Sequence, residues 1–333
     1  MTKETDIMNR LTATAAGMLA VCSALTIASS PARAAQWPTD KPIRLVVPYP
    51  AGGNSDVIGR IFARKLGDAL HQSVIVDNRP GAGGSIGAAL AAKADPDGYT
   101  LLLGDIATHA INHLSMPNLS YDAQADFAPV SRLTSISLLL VINPKYKFKS
   151  VQDFIAHAKA HPGQMAYATG GNGTPSQLAM EMLRGATGLD MLPIPYKGSA
   201  PALTDVVSGQ VDAMIDGAAT PLVKSGKLDL LAVTADRSPA FPDTPTLSEA
   251  GVPGYRFVSW HGVFAPKGTP QPIVDRLAQE LQRAAQDQEV QKQLQALGIG
   301  LNTQSGPAFA SFIADQRQSI EAMVKERGLK LAQ

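Results

Sequence analysis

Three times along this chain a short apolar run ends in a glycine-rich turn that opens a helical pattern. Ile43 to Val47 runs into Pro48-Tyr49-Pro50-Ala51-Gly52-Gly53-Asn54-Ser55-Asp56, after which Ile58, Ile61, Phe62, Leu66 and Leu70 recur at helical spacing. Val74 to Val76 is followed by Arg79-Pro80-Gly81-Ala82-Gly83-Gly84-Ser85 and an Ala-rich helix. Met165 to Ala168 leads into Thr169-Gly170-Gly171-Asn172-Gly173-Thr174-Pro175, and Leu178, Met182 and Leu183 continue as a helix. Strand, tight turn and helix in repeated succession predict an α/β protein built on parallel sheets.

The remaining pattern divides the chain. Tyr99 to Leu103 is a further strand ending at Gly104, and 130–142 is extended and apolar. From Val151 the alternation starts again, with strand signals at Ile194-Pro195-Tyr196, Val211 to Ile215 and Leu228 to Thr234. Phe257 to Phe264 is extended once more, and two polar helices, Ile273 to Leu297 and Ala308 to Arg327, close the chain. Extended segments at both ends of the second α/β unit predict an inserted lobe. Residues 35–137 and 258–333 form lobe 1, residues 138–257 form lobe 2, and a ligand cleft is expected between them.

The N-terminus is read apart from the fold. Lys3 and Arg10 precede an Ala-rich apolar run from Leu11 to Ala28, and Ala32-x-Ala34 is a small-residue cleavage site. The run is short for a membrane span, so residues 1–34 are expected to be a secretory signal peptide, with Met8 as an alternative start. Val21 before Cys22 suits lipidation poorly. Cleavage after Ala34 removes Cys22, the sole cysteine, and with it any disulfide or cysteine metal site. It also removes Lys3, Arg10, Arg33, Glu4 and Asp6, leaving 26 basic and 26 acidic residues. A neutral mature chain has no bulk field for nucleic acid or anionic lipid, so its partner must be recognised at local sites.

The glycine-rich turns supply such sites. A helix N-terminus leaves its first N–H groups unpaired and partially positive. Glycine admits a ligand to that backbone, and Ser, Thr or Asn adds a hydrogen bond. The competing reading is that these are ordinary βα loops with N-cap residues. A dinucleotide fingerprint is not met, because Gly81-Ala82-Gly83-Gly84-Ser85-Ile86 lacks the last glycine and Asn78-Arg79-Pro80 separates it from the strand. Gly83-Gly84-Ser85-Ile86-Gly87 matches a hydrolase nucleophile elbow, but its glycine run spoils the sharp turn and only His261 lies far downstream. His109 and His113 stand four apart with no Glu between them and are read as surface or loop histidines. Lys197 is either a ligand contact or a solvated residue. Asp216, at a strand end, either meets a ligand amine or caps a turn.

In this order, the motifs resemble the Bug-type extracytoplasmic solute receptors of tripartite tricarboxylate transporters. They are Val47-Pro48-Tyr49-Pro50-Ala51-Gly52-Gly53-Asn54-Ser55-Asp56 with Arg60, Asp77-Asn78-Arg79-Pro80-Gly81-Ala82-Gly83-Gly84, Pro96-Asp97-Gly98-Tyr99-Thr100-Leu101, Asp126-Phe127-Ala128-Pro129-Val130, Pro195-Tyr196-Lys197-Gly198, Ser225-Gly226-Lys227-Leu228 and Ala265-Pro266-Lys267-Gly268-Thr269-Pro270. The resemblance spans nearly all of the mature chain. It implies a periplasmic-binding-protein type II-like Venus flytrap, two α/β lobes joined by crossing strands, with no catalysis, cofactor or metal. The implied ligand is a small carboxylate: a dicarboxylate, an acidic amino acid or an aromatic acid. The implied partners are membrane transporter subunits that engage a periplasmic monomer. Ligand contacts carry over to Tyr49, Gly53, Asn54, Ser55, Gly83, Gly84, Thr169, Gly170, Gly173 and Thr174, with Asp216 added from its strand-end position. Gln177 stands where members often have His. A sensory receptor for the same ligands, or a serine hydrolase using Ser85, is the alternative.

Overall fold

The computed structural model describes residues 37–326, so the expected signal peptide lies outside the described residues. From Lys41 onward these residues form one compact unit containing two sheets. The first sheet holds β1 (Ile43–Val47), β2 (Val74–Asn78), β3 (Thr100–Asp105) and β4 (Phe127–Ser137). The second holds β5 (Leu139–Ile142), β6 (Ala166–Thr169), β7 (Leu192–Pro195), β8 (Ala213–Ile215) and β9 (Asp229–Val233). The chain then returns to the first sheet as β10 (Val258–Ser259), β11 (His261–Pro266) and β12 (Gly300–Ser305).

Each sheet contains the same βαβαβ core. In the first, β1 lies between β2 and β3, all parallel, with helices Asn54–Leu70 and Ser85–Ala92 in the crossovers. In the second, β6 lies between β7 and β8, all parallel, with helices Pro175–Thr187 and Ser199–Ser208. Strand order therefore reverses beside β1 and again beside β6. Such switch points leave a crevice at the carboxyl ends of the strands.

The sheets are mixed, where the sequence pattern predicted parallel ones. Both β4 and β11 run antiparallel to their neighbours, and β5 runs antiparallel to β8 and β9. The cause is the path between sheets. Each crossing segment enters or leaves along a sheet and pairs there without a helical crossover.

Other departures have local causes. The helix expected over Ile273 to Leu297 is two helices, Gln271–Gln286 and Gln288–Ala296. Between them the extended Asp287 accepts hydrogen bonds from the Glu289 and Val290 N–H groups, a side-chain cap that starts a new helix. The polar strand β12 carries no apolar alternation and owes its conformation to pairing with β4. Helix Ser199–Ser208 also escaped the sequence reading. Edge strand β7 presents all four residues to solvent, and its prolines, Pro193 and Pro195, withhold N–H groups from further pairing.

Beneath the cleft the first sheet is tightly filled. Strands β1 and β3 bury Leu45, Val46 and Val47, and Leu101, Leu102 and Leu103, because both of their faces are covered there. His109 lies inside this core, which corrects its reading as a surface residue. It is 1% exposed and its ring stacks on Phe264 with centroids 3.7 Å apart. The wide helical turn Ala107–Ile111 buries every residue it contains, and no periodic apolar signal announces it. Burial holds His109 neutral, with its pKa pushed down to about 3. His113 pairs with Glu321 at 2.6 Å, so the two histidines have separate roles.

A methyl group at Gly104 would lie 2.5 Å from His109 Cε1 and 2.7 Å from Phe264 Cε2. Both rings are locked in the stack, so Gly104→Ala should destabilise the protein by roughly 1–3 kcal/mol through overpacking. Urea denaturation of the two proteins checks this, with an unchanged midpoint as the contrary result.

Candidate functional site

Four strand ends converge on one small chamber. Tyr49 follows β1, Asp105 ends β3, Gly170 follows β6 and Asp216 follows β8, and all four line it. Its volume is about 120 Å³, and segments from both sheets enclose it. Ile136 and Ser259, from β4 and β10, and Leu138, between β4 and β5, add the crossing segments to the wall. An outer cavity of about 830 Å³ shares Tyr49, Pro50, Gly170, Thr174 and Gly198 with the chamber.

Helix starts provide the chamber's donors. Helix Asn54–Leu70 begins at Gly53 and helix Ser199–Ser208 at Gly198, and neither N-cap has a side-chain hydrogen bond. Thr174 begins helix Pro175–Thr187 and accepts from Gln177 N–H at a long 3.5 Å. Gly53, Thr174 and Gly198 all line the chamber, and a helix start carries free N–H groups and the positive end of a macrodipole. Close to such a start, an anion is stabilised by about 0.3–1 kcal/mol, and by about 2 kcal/mol when partly buried.

The first turn is rigidly braced. Asp56 accepts from Gly52 N–H, from Arg60 Nε and from Asn78 Nδ2, each at 3.0 Å. Asn78 also donates to the Tyr49 carbonyl at 3.0 Å. Burial pushes the Asp56 carboxyl upward, but these donors outweigh it and hold the group below the usual carboxylate range. The motif's Asp56 and Arg60 therefore shape the turn.

Tyr49 Oη donates to Asp105 Oδ2 at 2.7 Å, tying the turn to the end of β3. Burial, and then the adjacent carboxylate, push the tyrosine pKa well up. Asp105 is 2% exposed and accepts from Thr108 N–H at 3.0 Å as well. Burial raises its pKa, partly offset by these donors. Across the chamber Asp216 accepts from Ser199 Oγ at 2.7 Å and from Ala218 N–H at 2.8 Å. Burial raises the Asp216 pKa too. Asp216 thus both caps a turn and faces the cleft.

His261 pairs in register with Asp105 across β11 and β3 and lines the chamber. Its Nε2 shares a 2.9 Å hydrogen bond with Ser55 Oγ, and its Nδ1 lies 3.3 Å from Thr134 Oγ1. Burial pushes its pKa down to about 4, so the ring is neutral at physiological pH. The serine–histidine pair is thus Ser55–His261. Ser85 instead opens helix Ser85–Ala92 after two glycines of positive φ.

The sequence-predicted residues fall into three groups. Tyr49, Gly53, Asn54, Ser55, Gly170, Thr174 and Asp216 line the inner chamber. Gly83 and Gly84 line the outer cavity, as does Lys197, the one charged side chain in its walls among the described residues. Thr169 and Gly173 line neither and stand behind the third turn. Thr169 Oγ1 accepts from Gly171 N–H at 3.2 Å, and Gly173 N–H donates to Gln177 Oε1 at 2.8 Å. Gln177 therefore braces this turn from inside. The second and third turns also touch: a Cβ on Gly83 would lie 2.7 Å from the Asn172 carbonyl oxygen. Sequence reading missed Asp105, Ser199 and His261. Gly198-Ser199 carried a helix-start signal, whereas Asp105 and His261 are joined only by strand pairing.

Two facing βαβαβ units with a shared chamber at their switch points define a two-lobed solute-binding protein. Residues 58–329 match the tripartite tricarboxylate transporter family receptor. Protein BugT of Bordetella pertussis is 39% identical over 307 residues, covering 91% of this chain and 94% of that protein. A structure from R. palustris with adipate is 34% identical, with a TM-score of 0.85, covering 88% of this chain and 99% of that one. MatC from Rhodopseudomonas palustris, with bound malate, is 33% identical, with a TM-score of 0.81, covering 86% and 99%. The chain belongs to the tripartite tricarboxylate transporter receptor family and is a Bug-type solute receptor.

The His261 pKa makes a pH prediction. Above pH 6.5 the folded and unfolded chains both carry neutral imidazole, and its contribution to stability is complete. From there down to about 4 the unfolded chain takes up a proton that the folded one refuses, so stability falls with pH. His261→Gln should make the fall of the denaturation midpoint across this window shallower, the buried His109 supplying part of the remainder. A profile matching the wild type would remove His261 as the cause.

Proposed function

We propose that the protein is exported by its signal peptide, residues 1–34, and captures a small carboxylate in the periplasm for a tripartite tricarboxylate-type transporter. It acts as a monomer and catalyses nothing. One carboxylate of the ligand sits in the inner chamber, held by N–H groups at the Gly53, Thr174 and Gly198 helix starts and by hydroxyls such as Ser55. The rest of the ligand extends into the outer cavity. The observation that carries this reading is the convergence of helix starts from both sheets on one chamber whose walls, among the described residues, hold no Lys or Arg. The adipate and malate held by two related structures support the ligand class.

Residues 35–137 with 258–333, and residues 138–257, move as two lobes about the crossings near 138 and 258. Contacts from both lobes to one ligand supply the differential affinity that closure requires. The closed form is the one delivered to the membrane subunits.

Native mass spectrometry of the purified protein, followed by a thermal-shift panel including adipate and malate, tests the ligand class. A co-purified carboxylate or a raised Tm is expected, together with compaction in small-angle scattering. Ser55→Ala should weaken the best ligand about 2- to 10-fold, the worth of one ordinary hydrogen bond. The reading fails if no carboxylate binds.

A further inference from the structure

The inner chamber is a strange place for an anion. Its walls carry two buried carboxylates, Asp105 and Asp216, contributed by the first and the second sheet. The other titratable groups facing it are the Tyr49 hydroxyl, donated to Asp105, and the neutral His261 ring, bonded to Ser55. The helix starts at residues 54, 175 and 199 bring no charged side chain into the chamber, and Lys197 lies in the wall of the outer cavity. A ligand carboxylate entering here would be the third negative group in about 120 Å³. Carboxylates that share a site do not all ionise, and one of them holds a proton.

Resting on the carboxylate reading of the chamber, we propose that Asp216 takes up a proton from solvent as the ligand binds and donates it in a hydrogen bond to the ligand carboxylate. Asp216 is better suited than Asp105. Asp105 meets more donors: Oδ2 accepts from Tyr49 Oη at 2.7 Å, and Oδ1 accepts from both the Thr108 N–H and its hydroxyl at 3.0 Å, all favouring the ionised form. Asp216 Oδ1 is fixed by Ala218 N–H at 2.8 Å, but among the described residues Oδ2 is met only by the Ser199 hydroxyl, whose proton can rotate away. Protonated at Oδ2, Asp216 becomes a donor while Oδ1 keeps its backbone bond. An acid–carboxylate hydrogen bond is short and strong, about 2.5–2.7 Å. The chamber then recognises an anion without a cation, and affinity rises as pH falls.

Titration calorimetry of the purified protein with adipate or malate, in buffers of different ionisation heat between about pH 6 and 8, tests this. Uptake of about one proton per ligand is expected, with Kd rising up to about tenfold per pH unit. Asp216→Asn, neutral at every pH and able to donate from Nδ2, should bind without proton uptake, with pH-independent affinity, and more tightly than the wild type at the upper end. Asp105→Asn should still take up the proton. Wild-type binding without proton uptake at any pH overturns the proposal, as does uptake that persists in Asp216→Asn. Loss of binding by an Asp216→Asn protein of unchanged Tm also overturns it, and assigns the carboxylate to a ligand ammonium group instead. If neither these ligands nor any other carboxylate binds the wild type, both this proposal and the functional reading fall.

Discussion

Helix starts without capping side chains are the constraint on which the cleft depends. Away from the cleft, Ser150 and Asp287 cap their helices with side chains. At the cleft, Gly53, Gly84 and Gly198 stand in that position, and no side chain occupies the first-turn donors. Replacing a good cap by glycine costs only a few tenths of a kcal/mol, far less than replacing it by alanine. Open donors are therefore obtained at small expense to the fold. The same glycines let the walls approach, as at Gly83, where any side chain would strike the Asn172 carbonyl.

Those donors become a site only because the fold aims them together. Each βαβαβ unit has one switch point, and the crossings near residues 138 and 258 set the two switch points face to face. Tyr49–Asp105 and Ser199–Asp216 then tie each turn to the end of a neighbouring strand. Asp56 does the same within the first turn, gathering Gly52, Arg60 and Asn78. The buried acidic groups of the cleft thus position its loops. The burial that lets them do so also lowers their tendency to ionise.

Much of this was legible in the amino-acid order. Ile43 to Val47 and its Gly52-Gly53 turn announce strand, turn and helix through short-range rules alone, and residues of the first and third turns line the inner chamber. Polar strand β12 was hidden because pairing with β4, and no pattern of its own, makes it a strand. The break at Asp287 was hidden because one capping side chain interrupts an otherwise continuous helical period. His109 was misplaced because a lone histidine carries no sign of the Phe264 ring that covers it.

What the sequence by itself determined is the set of local units: the glycine-rich helix starts, the family motifs and the near-even balance of 29 basic and 28 acidic residues. These depend on neighbours within a few residues. The tertiary structure alone decided which turns face the inner chamber and which the outer cavity. It also decided that Asp105 and His261, more than 150 residues apart in the chain, stand side by side on paired strands. Register and burial create that juxtaposition, and they are properties of the packed sheets that no local stretch encodes.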